Sequence, residues 1–166
     1  GRIVVAIAAG LEHAHGHGII HRDIKSANVI LKADGEVKIL DFGLALRADT
    51  STLTQLGAVL GTLAYMSPEQ LRGTTIDART DLWSLGVVFY ECLTGQRPFD
   101  GPTAESTIHN ILRTAPRAIW RAHPRVIAGF EEVVGRLLEK DPERRYGTAG
   151  DLLRDLRSIR SSDPTA

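Results

Sequence analysis

The chain has 166 residues, enough for one domain with a sizeable buried core. It carries 20 basic and 20 acidic side chains at a formal net charge of zero, with 43% hydrophobic and 24% charged residues, so no global electrostatic case exists for nucleic acid or an anionic membrane. A single cysteine, Cys92, excludes an internal disulfide and suits a reducing cytoplasm, which is the expected location, although an anchor outside this segment is compatible with it.

No apolar run reaches the roughly 20 residues that span a bilayer, and no signal peptide is visible. Gly1 already stands inside an apolar pattern, so we expect a fragment rather than a natural N-terminus.

Residues 2–16 place apolar side chains at 3, 4, 5, 7, 8, 11 and 14, the spacing of a mostly buried helix that Gly16 and Gly18 end. His13, His15 and His17 follow, with His13 and His17 on one helix face. They read as partly exposed helix-end histidines, or else as metal ligands for which no neighbouring cysteine or carboxylate completes a usual set. Ile19-Ile20 is a short extended piece.

Residues 21–43 read HRDIKSANVILKADGEVKILDFG. Two apolar runs, Val29–Leu31 and Val37–Leu40, flank Lys32-Ala33-Asp34-Gly35-Glu36, and Asp34-Gly35 signals a tight turn, so a β-hairpin is expected. With Ala33–Glu36 as the loop, Lys32 pairs with Val37 and Asn28 with Asp41. Two oxygen-bearing side chains then face each other at the open end, a plausible magnesium site. Asp23 and Lys25, two positions apart in an extended loop, point the same way.

Residues 44–60 are threonine-rich and aperiodic, a long loop that is either solvated or functional. Gly61–Glu69 is turn-like, with Pro68 biasing Ser67 away from helix. Residues 81–94 form a helix apolar on nearly every face, hence central, with Asp81 as its cap, Gly95 as its stop and Cys92 packed inside. Gln96–Thr103 is a loop and 104–113 a modest helix. Arg113, Arg117, Arg121 and Arg125 recur every four residues, but Pro116 and Pro124 break any continuous helix, leaving a solvated basic loop or a docking patch. A further amphipathic helix covers 128–139 and ends at Lys140, and Asp141-Pro142 marks a turn. Thr148 with Asp151 resembles a capping box for a last helix, and Ser161–Ala166 is a tail or linker.

His21-Arg22-Asp23-x-x-x-x-Asn28 followed by Asp41-Phe42-Gly43 resembles the catalytic loop and metal-binding motif of protein kinases, a family for which the chemistry is a known template. Ser67-Pro68-Glu69 is similar to the family's Ala-Pro-Glu. Asp81-x-Trp83-Ser84-x-Gly86 resembles its central-helix motif, and Arg145 falls where the family pairs an arginine to the glutamate of Pro-Glu, here Glu69. The resemblance covers residues 1–160 and implies a mainly α fold: a kinase C-terminal lobe, helical, with a short β-hairpin carrying the catalytic and metal-binding loops.

By this resemblance Asp23 orients the attacking hydroxyl, Asn28 and Asp41 hold Mg2+ on ATP, and Lys25 steadies the transferring phosphoryl group. Lys25 and Thr62 fit the serine/threonine class, and GTLAYMSPEQ and LTGQRPFDG are similar to bacterial kinases of the eukaryotic type. Arg22 implies activation by phosphorylation of the loop, with Thr50, Ser51, Thr52 and Thr54 as candidates. The implied partners are ATP, a protein substrate and an N-terminal lobe. The glycine-rich loop, the strand lysine and its glutamate partner are not in these residues, so the isolated segment is expected to be inactive. A non-catalytic kinase-like binding module is the alternative.

Overall fold

The computed structural model describes residues 2–41, 59–119 and 128–162. Helix α1 (Arg2–Gly16) buries Val4, Ile7, Ala8, Leu11 and Ala14, the stripe that its spacing requires. Gly18 then takes a left-handed φ of 72°, which turns the chain into the extended Ile19-Ile20 piece.

The hairpin pairs β1 (Val29–Leu31) with β2 (Val37–Ile39), antiparallel. Its register differs from the expected one by one residue. Val29 faces Ile39, Ile30 faces Lys38 and Leu31 faces Val37, so Lys32 pairs with Glu36 and Asn28 with Leu40. The turn explains the shift. Gly35 adopts φ 86°, Gly35 N–H donates to Lys32 O at 2.9 Å, and Glu36 N–H donates to the Asp34 carboxylate at 2.9 Å. Placing glycine at the left-handed position makes a three-residue loop, so Glu36 enters the ladder instead of remaining in the turn.

Helix α2 (Val59–Leu63) and helix α3 (Pro68–Arg72) occupy much of the passage expected to be turn-like. Ser67 is extended at ψ 157° and caps α3, with Pro68 opening it and Gly73 closing it. Helix α4 (Arg79–Thr94) is the centre of the fold: every side chain from Thr80 to Tyr90 is buried, and Gly95 terminates it. Its N-cap is Ala78, not Asp81, because the Asp81 carboxylate points away to bind the loop at His21. Cys92 is exposed rather than packed inside, since the last turn of α4 emerges from the core.

Helix α5 (Ala104–Arg113) starts at a Thr103–Ser106 capping box. Helix α6 (Ala128–Leu137) and helix α7 (Ala149–Ser162) follow. Thr148 and Asp151 form the expected reciprocal cap, with both backbone bonds at 3.1 Å. Ser161 and Ser162 belong to α7 rather than to a tail.

Helix α1 packs on α4, α7 and β2, and α6 packs on α4 and α7. Trp83 stacks on Phe99 at 5.3 Å and Phe89 meets Phe130 edge-on at 5.4 Å, which fills the space around α4. Among the described residues no helix is long and apolar enough to cross a membrane.

Candidate active site

Four side chains converge beside the hairpin. Lys25 Nζ donates to Asp23 Oδ2 at 2.8 Å and to Thr62 Oγ1 at 3.0 Å. Asn28 Nδ2 donates to the Asp23 backbone oxygen at 2.9 Å and to Asp23 Oδ2 at 3.1 Å. Both of these side-chain bonds land on Oδ2. The Asp23 carboxylate is therefore fixed in rotation, and its Oδ1 makes no hydrogen bond among the described residues. Asn28 has spent its amide N–H groups in the same way, so its free polar atom is an oxygen.

Asp41 stands one residue beyond the last hairpin pair, Leu40 with Asn28, where Leu40 N–H donates to Asn28 O at 2.8 Å. It is exposed and left-handed at φ 60°, a conformation that aspartate tolerates better than most residues. The expected direct pairing of Asn28 with Asp41 is thus replaced by an offset of one residue. Both still sit at the open end of the hairpin, and their oxygens are the hard donors that magnesium selects.

The loop that presents Asp23 is strained and clamped. Arg22 has φ 67°, costly for a residue with a Cβ. The buried Asp81 carboxylate accepts from His21 N–H at 2.8 Å, from Arg22 N–H at 2.7 Å and bonds His15 Nε2 at 2.8 Å. Asp23 N–H donates to His21 Nδ1 at 3.2 Å, which makes His21 Nε2 the donor to Leu40 O at 2.8 Å. The His21–Asp23 loop, the central helix and the hairpin are joined through these bonds.

His15 escaped the sequence reading, which grouped it with its neighbours. Its signal was the position four residues after buried Leu11, on the inner stripe of α1, whereas His13 and His17 are exposed with rings 4.6 Å apart. Among the described residues no three His, Cys, Asp or Glu side chains gather as a metal-holding group.

Further out, Glu69 and Arg145 form a buried bidentate pair at 2.7 and 2.8 Å. Arg145 also donates to Glu139 O and Arg79 O, and Thr80 Oγ1 donates to Glu69 at 2.8 Å. Burial pushes the Glu69 carboxyl up, but the hydrogen bonds and charge of Arg145, with Thr80, outweigh that and hold it below its ordinary value. Tyr65 OH donates to Glu91 at 2.7 Å beside Ser26, and burial together with the Glu91 carboxylate pushes the phenol up. The sequence reading missed this cluster. Thr50, Ser51, Thr52, Thr54, Phe42 and Gly43 lie outside the described residues, as do Arg121 and Arg125; Arg113 and Arg117 are exposed.

Comparison with known proteins places this geometry in context. The family model for the protein kinase domain matches residues 1–155. The chain is 42% identical over 163 residues to the serine/threonine-protein kinase PknB of Mycobacterium leprae, covering 98% of this chain and 26% of that protein. It is 44% identical over 156 residues to the kinase of the same name in Mycolicibacterium smegmatis, covering 93% of this chain and 25% of the relative. A probable serine/threonine-protein kinase of Clostridium perfringens is 40% identical over 162 residues, covering 98% of this chain and 24% of the relative. The chain thus spans about a quarter of the length of these curated relatives.

Proposed function

We propose a function from one premise: the chain belongs to the protein kinase family. It is the C-terminal lobe of a serine/threonine kinase that moves the γ-phosphoryl group of ATP to a protein hydroxyl. The observation that carries this reading is the Asp23 carboxylate, pinned through Oδ2 by Lys25 and Asn28 with Oδ1 left for a substrate.

In this mechanism Asp23 Oδ1 accepts the hydrogen bond of the incoming serine or threonine hydroxyl and aims its lone pair at the phosphorus. The new oxygen–phosphorus bond forms as the bond to the bridging oxygen of ADP breaks, and the hydroxyl proton passes to Asp23. Lys25, held between Asp23 and Thr62, meets the charge on the transferring group. Asn28 Oδ1 and the Asp41 carboxylate are the atoms suited to hold magnesium, which when bound neutralises phosphate charge. Positioning, rather than covalent chemistry, is the task of these residues.

Arg22 is exposed next to Asp23 and serves as the clamp for a phosphate on Thr50, Ser51, Thr52 or Thr54. Ile30, Leu31 and Leu40 stand 44%, 57% and 38% exposed on the hairpin. An apolar surface there suits a covering N-terminal lobe.

The test is transfer of label from γ-labelled ATP in Mg2+ by the complete protein. Serine and threonine peptides should be labelled and tyrosine peptides not. No transfer to any hydroxyl peptide or protein would refute the reading in favour of a binding module.

A further inference from the structure

The peptide joining Arg22 to Asp23 is gripped at both polar atoms. Its N–H meets His21 Nδ1, and its carbonyl, Arg22 O, accepts from Gln70 Nε2 at 2.9 Å. Gln70 is the third residue of α3, far from the loop in sequence. Its other amide atom, Oε1, accepts from Ser67 N–H at 2.9 Å, while Gln70 N–H returns to Ser67 Oγ at 3.3 Å. A backbone N–H can only donate and a carbonyl can only accept, so one orientation of the amide satisfies both partners.

Gln70 therefore does two jobs with two atoms. Oε1 completes the capping box of α3, and Nε2 crosses to the catalytic loop. The place it crosses to is the strained one: Arg22 at φ 67° persists only if its surroundings over-determine it. Asp81 fixes the N–H side of Arg22, and Gln70 fixes the carbonyl side.

From this geometry we propose that Gln70 is a positioning residue of the active site, orienting the peptide that carries Asp23. The proposal rests on the kinase reading for its consequence in catalysis, though not for its structural content.

Two variants of the complete protein separate the jobs. Gln70→Glu keeps the acceptor that the capping box needs and removes the donor to Arg22 O. Gln70→Lys keeps a donor and removes the acceptor. In Gln70→Glu we expect Tm to hold, kcat to fall about three- to tenfold with KM for ATP unchanged, and amide exchange at Asp23 to quicken. In Gln70→Lys we expect Tm to drop, while kcat and exchange at Asp23 stay near the parent.

Losses of kcat that follow Tm in both variants would overturn the proposal, as would a Gln70→Glu protein with parental kcat and exchange. If the parent protein transfers no phosphoryl group, the kinase reading fails separately, and exchange at Asp23 alone decides whether Gln70 holds the loop.

Discussion

Glu69 is a carboxylate with almost no access to water, and it stays charged because Arg145 meets it with two parallel N–H donors. The Nε–H and a further Nη1–H of that guanidinium donate to the Glu139 and Arg79 carbonyl oxygens. Removing one partner strands the other. We expect Arg145→Met to lower unfolding stability by about 3–5 kcal/mol in urea titration.

The pair also sets an acid limit. The folded value of the Glu69 carboxyl lies below its ordinary value of 4.5, so its stabilisation is fully present above that pH and is lost as pH falls through the folded value. Thermal melts should show stability declining below about pH 4.5. In Glu69→Gln that component of the pH slope should vanish from a lower starting stability, and an unchanged slope would show that other groups dominate.

The motif resemblance points to Asp23, Asn28 and Asp41 and to a Glu69–Arg145 pair; the structure forms that pair and brings Asn28 onto Asp23. The resemblance did not reveal that Asp81 serves the loop rather than its own helix. A carboxylate near a helix start has two competing uses, and only the fold chooses between them. Gln70 was silent for a related reason: its capping role is local, but its bond to Arg22 O depends on a tertiary approach that no period encodes.

At the scale of elements, long periodic segments were legible and short ones were not. Helices α1, α4, α5, α6 and α7 follow from apolar spacing and caps. The hairpin was legible as a hairpin, but its register turned on which residue of the turn took the left-handed conformation. A three-residue strand has too little patterning to decide that. The five-residue helices α2 and α3, which overlap the passage expected to be turn-like, are each too short to show a period.

Contacts between elements give a paired expectation. A Cβ on Gly86 would lie 2.7 Å from Leu137 Cβ, at the crossing of α4 and α6, whereas one on Gly135 meets nothing within 4 Å. Gly86→Ala should therefore destabilise by about 1–3 kcal/mol, and Gly135→Ala should stabilise by about 0.5–1 kcal/mol. Equal melting temperatures for the two variants would refute the close crossing. For the threonine-rich loop we expect mass spectrometry to find phosphate on Thr50, Ser51, Thr52 or Thr54 after incubation of the complete protein with Mg2+ and ATP. Its absence would remove the assigned partner of Arg22.

For the whole molecule, helices distant in sequence bear, directly or through Asp81, on one short loop whose Arg22 stands at φ 67°. The central helix α4 supplies Asp81, which holds the His21 and Arg22 N–H groups, α1 supplies His15, which bonds the Asp81 carboxylate, and α3 supplies Gln70, which bonds Arg22 O. The division of labour explains the core. A helix buried on all sides is a rigid post from which a carboxylate can fix two consecutive backbone N–H groups. Ile30 and Leu31 leave apolar surface exposed on the hairpin.

In the proposed function the decisive atom is Asp23 Oδ1, which makes no hydrogen bond among the described residues. The most direct measurement is single-turnover phosphoryl transfer by the complete protein, parent against Asp23→Asn, with ATP binding followed in parallel. We expect ATP affinity to be retained and the transfer rate to fall by about 10²–10⁴-fold. An Asp23→Asn protein that transfers phosphate at the parental rate would contradict the role assigned to this carboxylate.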